Sequence, residues 1–414
     1  MEYTRETLDN GLIVITNRDT TSPMVAVNLL YGVGARDEDP DLTGFAHLFE
    51  HLMFGGSVNI PDYDTPLQMA GGENNAFTNN DYTNYYLTLP AQNLETAFWL
   101  ESDRMLELDF SEESLSVQKK VVTEEFRQRY LNQPYGDSWL KLRPLAFTTH
   151  PYRWPTIGKE IRHIEEAKLD DVRSFFFSHY APNNAILSLS GNIVHSEIMD
   201  LANKWFGPIP KRKVPQRNLP AEPEQINPRY LETKGNVPGP ALYMAFHMGD
   251  RLSREYYLCD LLSDILSSGM SARLFLNLVK SRKLFSDIDA YITGDRDPGL
   301  FIVSGRLADG VEPATGQTAV WDELTRLTVE TIGERELNKV LNRMESNLIF
   351  HNLSILNKAM NLGYYEWLGN PALFDMELAK YRSIGPDELL QSAARIFRPE
   401  NCSTLVYLSE GGRP

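Results

Sequence analysis

Apolar positions along the first half of the chain switch repeatedly between two periods. Leu12-Ile13-Val14-Ile15 predicts the return strand of a hairpin over residues 3–18 that turns at Asp9-Asn10-Gly11. Val25-Ala26-Val27-Asn28-Leu29-Leu30-Tyr31 is a nearly continuous apolar run and predicts a buried strand. At Phe45 the period lengthens: Phe45, Leu48, Phe49 and Leu52 fall at i, i+3, i+4 and i+7, the stripe of an amphipathic helix, with Gly55-Gly56 as its stop. A short helix is expected over residues 63–70, then strands over 74–78 and 82–89 around the polar turn Asn79-Asn80-Asp81. Helices over 94–106 and 112–131 follow, broken at Pro134-Tyr135-Gly136, and helix 170–180, strand 185–190 and helix 197–206 close this half.

Residues 207–228 are rich in proline and read as an extended connector, with Lys211, Arg212 and Lys213 as a solvated basic cluster. The remainder repeats the first half in degraded form. Aligning residues 46–56 with 259–269 places Leu48 on Leu261, Phe49 on Leu262, Leu52 on Ile265, Met53 on Leu266 and Gly56 on Gly269, and Leu242-Tyr243-Met244-Ala245-Phe246 matches the buried strand upstream. The division expected is therefore residues 1–207, a linker over 208–228, and a homologous domain over 229–414.

Polar residues on the Phe45 helix carry the candidate chemistry. His47 and His51 are four apart, so both imidazoles leave one face a turn apart, and Glu50 flanks that face. Two imidazoles so placed can hold one zinc ion, and a neighbouring carboxylate can take a proton from water. His-x-x-Glu-His reverses the commoner His-Glu-x-x-His and is the inverzincin order. A catalytic site needs a third protein ligand. The Glu124-Glu125 pair supplies it, with Glu125 preferred because it continues the Val117–Val121 row while Glu124 points about 100° away. In the second half the matching positions are Asp260, Ser263 and Asp264, so that half is expected to hold no zinc.

With these residues the chain resembles the pitrilysin or insulin-degrading-enzyme family of zinc peptidases, and in size the short branch that includes mitochondrial processing peptidase and its bacterial relatives. The resemblance rests on His47-x-x-Glu50-His51, Glu124-Glu125, Glu73-Asn74-Asn75-Ala76-Phe77-Thr78, Asn10-Gly11-Leu12 and Ser271-Ala272-Arg273-Leu274. It implies an α+β fold of two homologous sandwich-type domains, each a mostly antiparallel sheet with helices packed on it, forming half of a clamshell. It implies a zinc endopeptidase with one Zn2+ per chain held by His47, His51 and Glu125, with Glu50 as catalytic base. Asn75, Ala76, Phe77 and Thr78 would form the edge strand to which substrate adds, by backbone pairing of little sequence preference. Seven residues before Glu125, where the family has a supporting Glu, stands Gln118, whose amide can hydrogen-bond a ligand but carries no charge. The substrate-gripping Arg and Tyr of relatives have no match in residues 279–286: Ser286 falls where the Tyr should be. A heterodimer whose other subunit supplies that pair is one expectation, and a homodimer using Arg282 or Tyr291 is the other. A non-catalytic core or assembly subunit of the same fold is the rival reading, which the intact motif disfavours.

Composition narrows the setting. A chain of 414 residues with 42% hydrophobic content can bury large cores, and its net charge of −16 argues against a nucleic-acid partner and reads first as solubility rather than as attraction for basic peptides. Cys259 and Cys402 offer no disulfide framework. Neither a signal peptide nor a membrane span is visible. A cytoplasmic location in a bacterium is expected if the chain is complete, and a periplasmic one if a leader was removed. His150, His163, His179, His195, His247 and His351 lack ligand spacing to one another, and Phe175-Phe176-Phe177 reads as core packing.

Overall fold

The structure, a computed structural model, describes residues 1–410. Two compact units make up the chain. The first holds a six-stranded sheet built from β1 (Thr4–Thr7), β2 (Ile13–Arg18), β3 (Met24–Tyr31), β4 (Glu73–Thr78), β5 (Thr83–Pro90) and β6 (Ala185–Gly191), in the spatial order β1-β2-β6-β3-β5-β4. The second holds a five-stranded sheet of β7 (Arg229–Gly235), β8 (Ala241–His247), β9 (Phe285–Ile292), β10 (Leu300–Leu307) and β11 (Cys402–Ser409), ordered β7-β11-β8-β10-β9. The pairs β2–β6 and β7–β11 are parallel and the others antiparallel.

Set β1 aside and the two orders are the same. Strand for strand, β2-β6-β3-β5-β4 matches β7-β11-β8-β10-β9, which establishes the internal repeat in three dimensions. The helix Phe45–Leu52 lies between β3 and β4, and the helix Arg254–Ser267 lies between β8 and β9. Leu48, Phe49, Leu52 and Met53 are buried, as are Leu261, Leu262, Ile265 and Leu266. Both helices are followed by a left-handed glycine, Gly56 at φ 103° and Gly269 at φ 86°, a conformation that costs other residues about 1–2 kcal/mol.

The units are not the contiguous halves 1–207 and 229–414. The first comprises residues 1–127, 154–219 and 349–376; the second comprises 128–153, 220–348 and the chain from 377 onward. Each sheet has two faces to cover, and each takes one covering helix from the other half of the sequence. Helix Ile355–Trp367 lies on β6, β3 and β2, where Leu362 and Trp367 join Ile15, Leu30 and Ile186. Ser188 Oγ donates to the Ala359 carbonyl at 2.7 Å, and a Cβ on Gly363 would stand 2.8 Å from both Asn28 Nδ2 and Ser188 Oγ. Only glycine permits that approach. In the second unit helix Ser138–Ala146 covers β11, β8 and β7, with Leu142 and Ala146 against Ala245, Ile302 and Leu405. Helical periodicity marks a face as apolar but does not say which sheet it meets, so this exchange was invisible in the pattern.

Two local expectations change. The helix expected over 112–131 is α-helical only over Glu112–Phe126 and continues as a π turn, Arg127–Leu131. Arg212 is not solvated: it donates to the carbonyls of Tyr180 and Leu106, at 2.5 and 2.6 Å, and lies over the rings of Phe176 and Phe177. A guanidinium in a proline-rich strap can thus close two helix C-termini whose carbonyls would otherwise lack donors. Cys259 and Cys402 are buried free thiols. No helix among the described residues is long and apolar enough to cross a membrane.

Candidate metal centre

By burying Phe45, Ala46, Leu48, Phe49 and Leu52, the Phe45–Leu52 helix turns positions 47, 50 and 51 together toward its open side. Its first turn is anchored by a residue the sequence reading missed. Glu38, 5% exposed, accepts from the backbone amides of Gly44 and Ala46, both at 2.9 Å. Those amides have no intrahelical partner, so one carboxylate satisfies two orphan donors and meets the positive end of the helix dipole. Burial pushes the Glu38 carboxyl up to about 8, against those two donors. Trp154 Nε1 donates to the Ala35 carbonyl at 2.9 Å and fixes the loop that carries Glu38. Glu38 lies at no motif spacing from the helix, so only its place three residues before Asp41-Leu42-Thr43 could have drawn notice.

The imidazoles of His47 and His51 stand with ring centroids 4.9 Å apart and planes at 87°. Their Nε2 atoms lie 3.6 and 3.4 Å from the same oxygen, Glu125 Oε2. Glu125 comes from helix Glu112–Phe126, whose N-cap Ser111 accepts from the Ser114 amide and whose buried side holds Leu115, Val122, Thr123 and Phe126. All three groups are part-buried, and among the described residues they alone form a cluster able to hold a metal ion. Tetrahedral zinc with bonds of ~2.0–2.2 Å sets its ligand atoms about 3.3–3.6 Å apart. Both imidazole-to-carboxylate distances fit that spacing, and all three ligand atoms lie within 4.8 Å of one another. Glu124 turns outward, its carboxylate half exposed and 3.8 Å from Arg127.

Glu50 sits beside this cluster. Burial raises its carboxyl pKa, opposed by hydrogen bonding from Thr78 and by His51, while the charge of Glu125 raises it further. Thr78 ends β4, and its hydroxyl also reaches the Ala46 carbonyl at 3.5 Å. Along β4 the Asn75 side chain accepts from the Ala76 amide, and Phe77 packs against Tyr82 and Tyr86. The strand pairs with β5 alone and is the outer edge of its sheet among the described residues.

Other expected site residues are placed elsewhere. Gln118 makes no hydrogen bond to His47, His51 or Glu125 among the described residues; its amide lies near Gly55, a tight spot at the end of the helix. Arg282 faces Asp322 at 3.3 Å on the surface, and Ser286 donates to Asp287 and to the Arg306 carbonyl. Tyr291 lies on β9 near Trp139. At the repeat's counterpart of His47, Asp260 accepts from the Tyr381 hydroxyl at 2.5 Å.

Comparison with known proteins agrees with this geometry. Residues 13–139 match the insulinase (peptidase family M16) model, and residues 166–344 match the peptidase M16 inactive-domain model. The zinc protease PqqE of Helicobacter pylori is 27% identical over 83% of this chain and 78% of its own. A crystal structure of a Helicobacter pylori protease superposes with a TM-score of 0.92 at 24% identity, covering 98% of this chain and 99% of that one. The periplasmic protease PqqL of Escherichia coli superposes with a TM-score of 0.78 at 18% identity over 98% of this chain but only 47% of its own length. The intact His47-x-x-Glu50-His51 helix falls within the insulinase match and the altered copy at Asp260, Ser263 and Asp264 within the inactive-domain match, and on these grounds the chain belongs to the M16 family of peptidases.

Proposed function

We propose that this protein is a zinc-dependent endopeptidase that hydrolyses peptides or short unfolded polypeptides. The observation that carries the proposal is the approach of both His47 and His51 Nε2 to a single Glu125 oxygen, from two helices far apart in sequence. His47, His51 and Glu125 would hold zinc, which when bound supplies a Lewis acid for the scissile carbonyl and an acidified attacking water. The imidazoles spend their lone pairs as ligands, so neither is the base. Glu50 takes the proton of the attacking water and returns one to the leaving amine, a role helped by a carboxyl whose affinity for protons burial has raised. The open edge of β4, at Asn75, Ala76, Phe77 and Thr78, receives the peptide as an added strand. Gln118, on the ligand helix, supports the site by packing rather than by charge.

This chain would act as the zinc-bearing subunit of a dimer, the partner supplying the missing Arg and Tyr. The twofold longer PqqL, of which this chain spans about half, supports a requirement for two such lengths of polypeptide. A homodimer is the alternative. The test is hydrolysis of a quenched, unstructured peptide by the purified chain, with chelation and zinc restoration. Activity that disappears on chelation and returns with zinc is expected. A zinc-loaded chain inert both alone and with any homologous subunit would establish the assembly-subunit reading instead. Full activity of the chain alone would remove the obligate heterodimer.

A further inference from the structure

The second unit contains an arginine that its own carboxylates leave alone. Arg251 pairs with Glu377 at 3.0 Å, Arg254 with Glu388 at 2.8 Å, Arg273 with Glu336 at 2.7 Å and Arg306 with Asp287 at 2.6 Å. Arg143, on the helix that covers the sheet, instead gives one Nη1 hydrogen bond to the Tyr152 carbonyl at 3.0 Å, and its Nε is buried without a partner. Its guanidinium carbon lies 5.0 Å from the centroid of the Trp139 ring, and Trp139 in turn stands 6.5 Å from Tyr291. Burial lowers the Arg143 pKa, which the charge of Asp295 opposes, and burial raises the pKa of the Tyr291 hydroxyl against the charge of Arg143. In a chain with 56 acidic and 40 basic residues, carboxylates are not scarce. A desolvated guanidinium without one is held at a cost that an arriving anion would offset.

We infer that Arg143, with Trp139 and Tyr291 beside it, forms a binding site for a carboxylate of the peptide substrate, either its C-terminal α-carboxylate or an Asp or Glu side chain. Nε is closed off, but Nη2 makes no hydrogen bond among the described residues, and with the second hydrogen of Nη1 it offers two coplanar N–H groups to two carboxylate oxygens. A phosphate would call for further free cations, and Lys141, two residues away, is engaged by Asp137 at 2.6 Å. The inference rests on the peptidase reading only in taking the ligand to be a peptide.

The test measures binding, not turnover, on the full chain with a chelator present. Three N-acetylated tripeptides are titrated by calorimetry: a free acid with uncharged side chains, its C-terminal amide, and an amide with one Glu. Charge-assisted bonds of this kind predict that a carboxylate-bearing peptide binds about 10–100-fold tighter than the neutral amide. The free acid gaining identifies the α-carboxylate, and the Glu amide gaining identifies the side chain. R143Q should erase the difference, and Y291F should reduce it while leaving Arg143 in place. Equal binding of all three peptides to the wild type, or a preference that survives R143Q, would overturn the site. Because no hydrolysis enters, a chain that binds carboxylates yet cleaves nothing would separate this inference from the peptidase proposal.

Discussion

The helices Phe45–Leu52 and Arg254–Ser267 bury the same apolar stripe, and the chemistry they can do differs at their polar positions. In the first, His47, Glu50 and His51 project beside the Glu125 carboxylate. In the second, the corresponding Asp260 accepts from Tyr381, and Ser263 turns back to the Asp260 carbonyl at 2.8 Å. Burial pushes the Asp260 carboxyl up to about 6, well above its ordinary 3.8. The apolar stripe fixes where such a helix lies. What the polar stripe can do depends on whether a neighbouring helix brings a carboxylate oxygen to it or a hydroxyl closes it.

The sharpest way to break this contrast is E50Q, which keeps the shape and removes the base. Turnover should fall on the order of 10²–10⁴-fold with zinc content unchanged by elemental analysis. Retained hydrolysis would take Glu50 out of its role. Next, E125Q should weaken zinc binding by more than the ~10–100-fold typical of outer partners, whereas E124Q should leave it alone, as chelator competition would read. The reverse pattern would reassign the ligand.

A smaller effect probes the closed copy. The folded-state pKa of Asp260 is raised, so its contribution to stability is fully present below about 3.8 and is lost as pH rises through about 6. Asparagine does not titrate, so D260N should gain on the wild type between pH 4 and pH 7, on the order of 1–3 kcal/mol in denaturant titrations. A difference flat in pH would mean that Asp260 is not charged at a cost. The smallest expected effect is the most diagnostic: D260H with D264H, which restores both imidazoles, should leave binding at one zinc per chain, because Tyr381 occupies the face and the nearby Glu377 carboxylate is already held by Arg251 and Tyr257. Two zinc ions per chain would erase the contrast.

Much of this was legible in the sequence. The Phe45 helix, both candidate ligands on it, the preference for Glu125 over Glu124 and the degenerate copy follow from local periodicity and spacing, which helix geometry enforces. Glu38 was not legible, because a carboxylate reaching back to helix amides across a loop leaves no fixed interval. The covering helices were not legible either. Ala359, Leu362 and Gly363 announce an apolar face, but nothing within fifteen residues says that Ser188 waits for it. The side-chain direction of Gln118 was not legible for a related reason, since shared helix placement does not fix it.

The borrowed cover of the first sheet also sets a schedule for synthesis. Its last strand, β6, ends at Gly191, yet the helix that shields Asn28 and Ser188 is not complete until Trp367. At ~5–20 residues per second, that interval lasts roughly 10–35 s, during which a nearly finished sheet must wait on the ribosome with one face bare. A fragment cut at the proline-rich strap would remain in that waiting state, prone to aggregate, which makes the two halves poor candidates for separate expression.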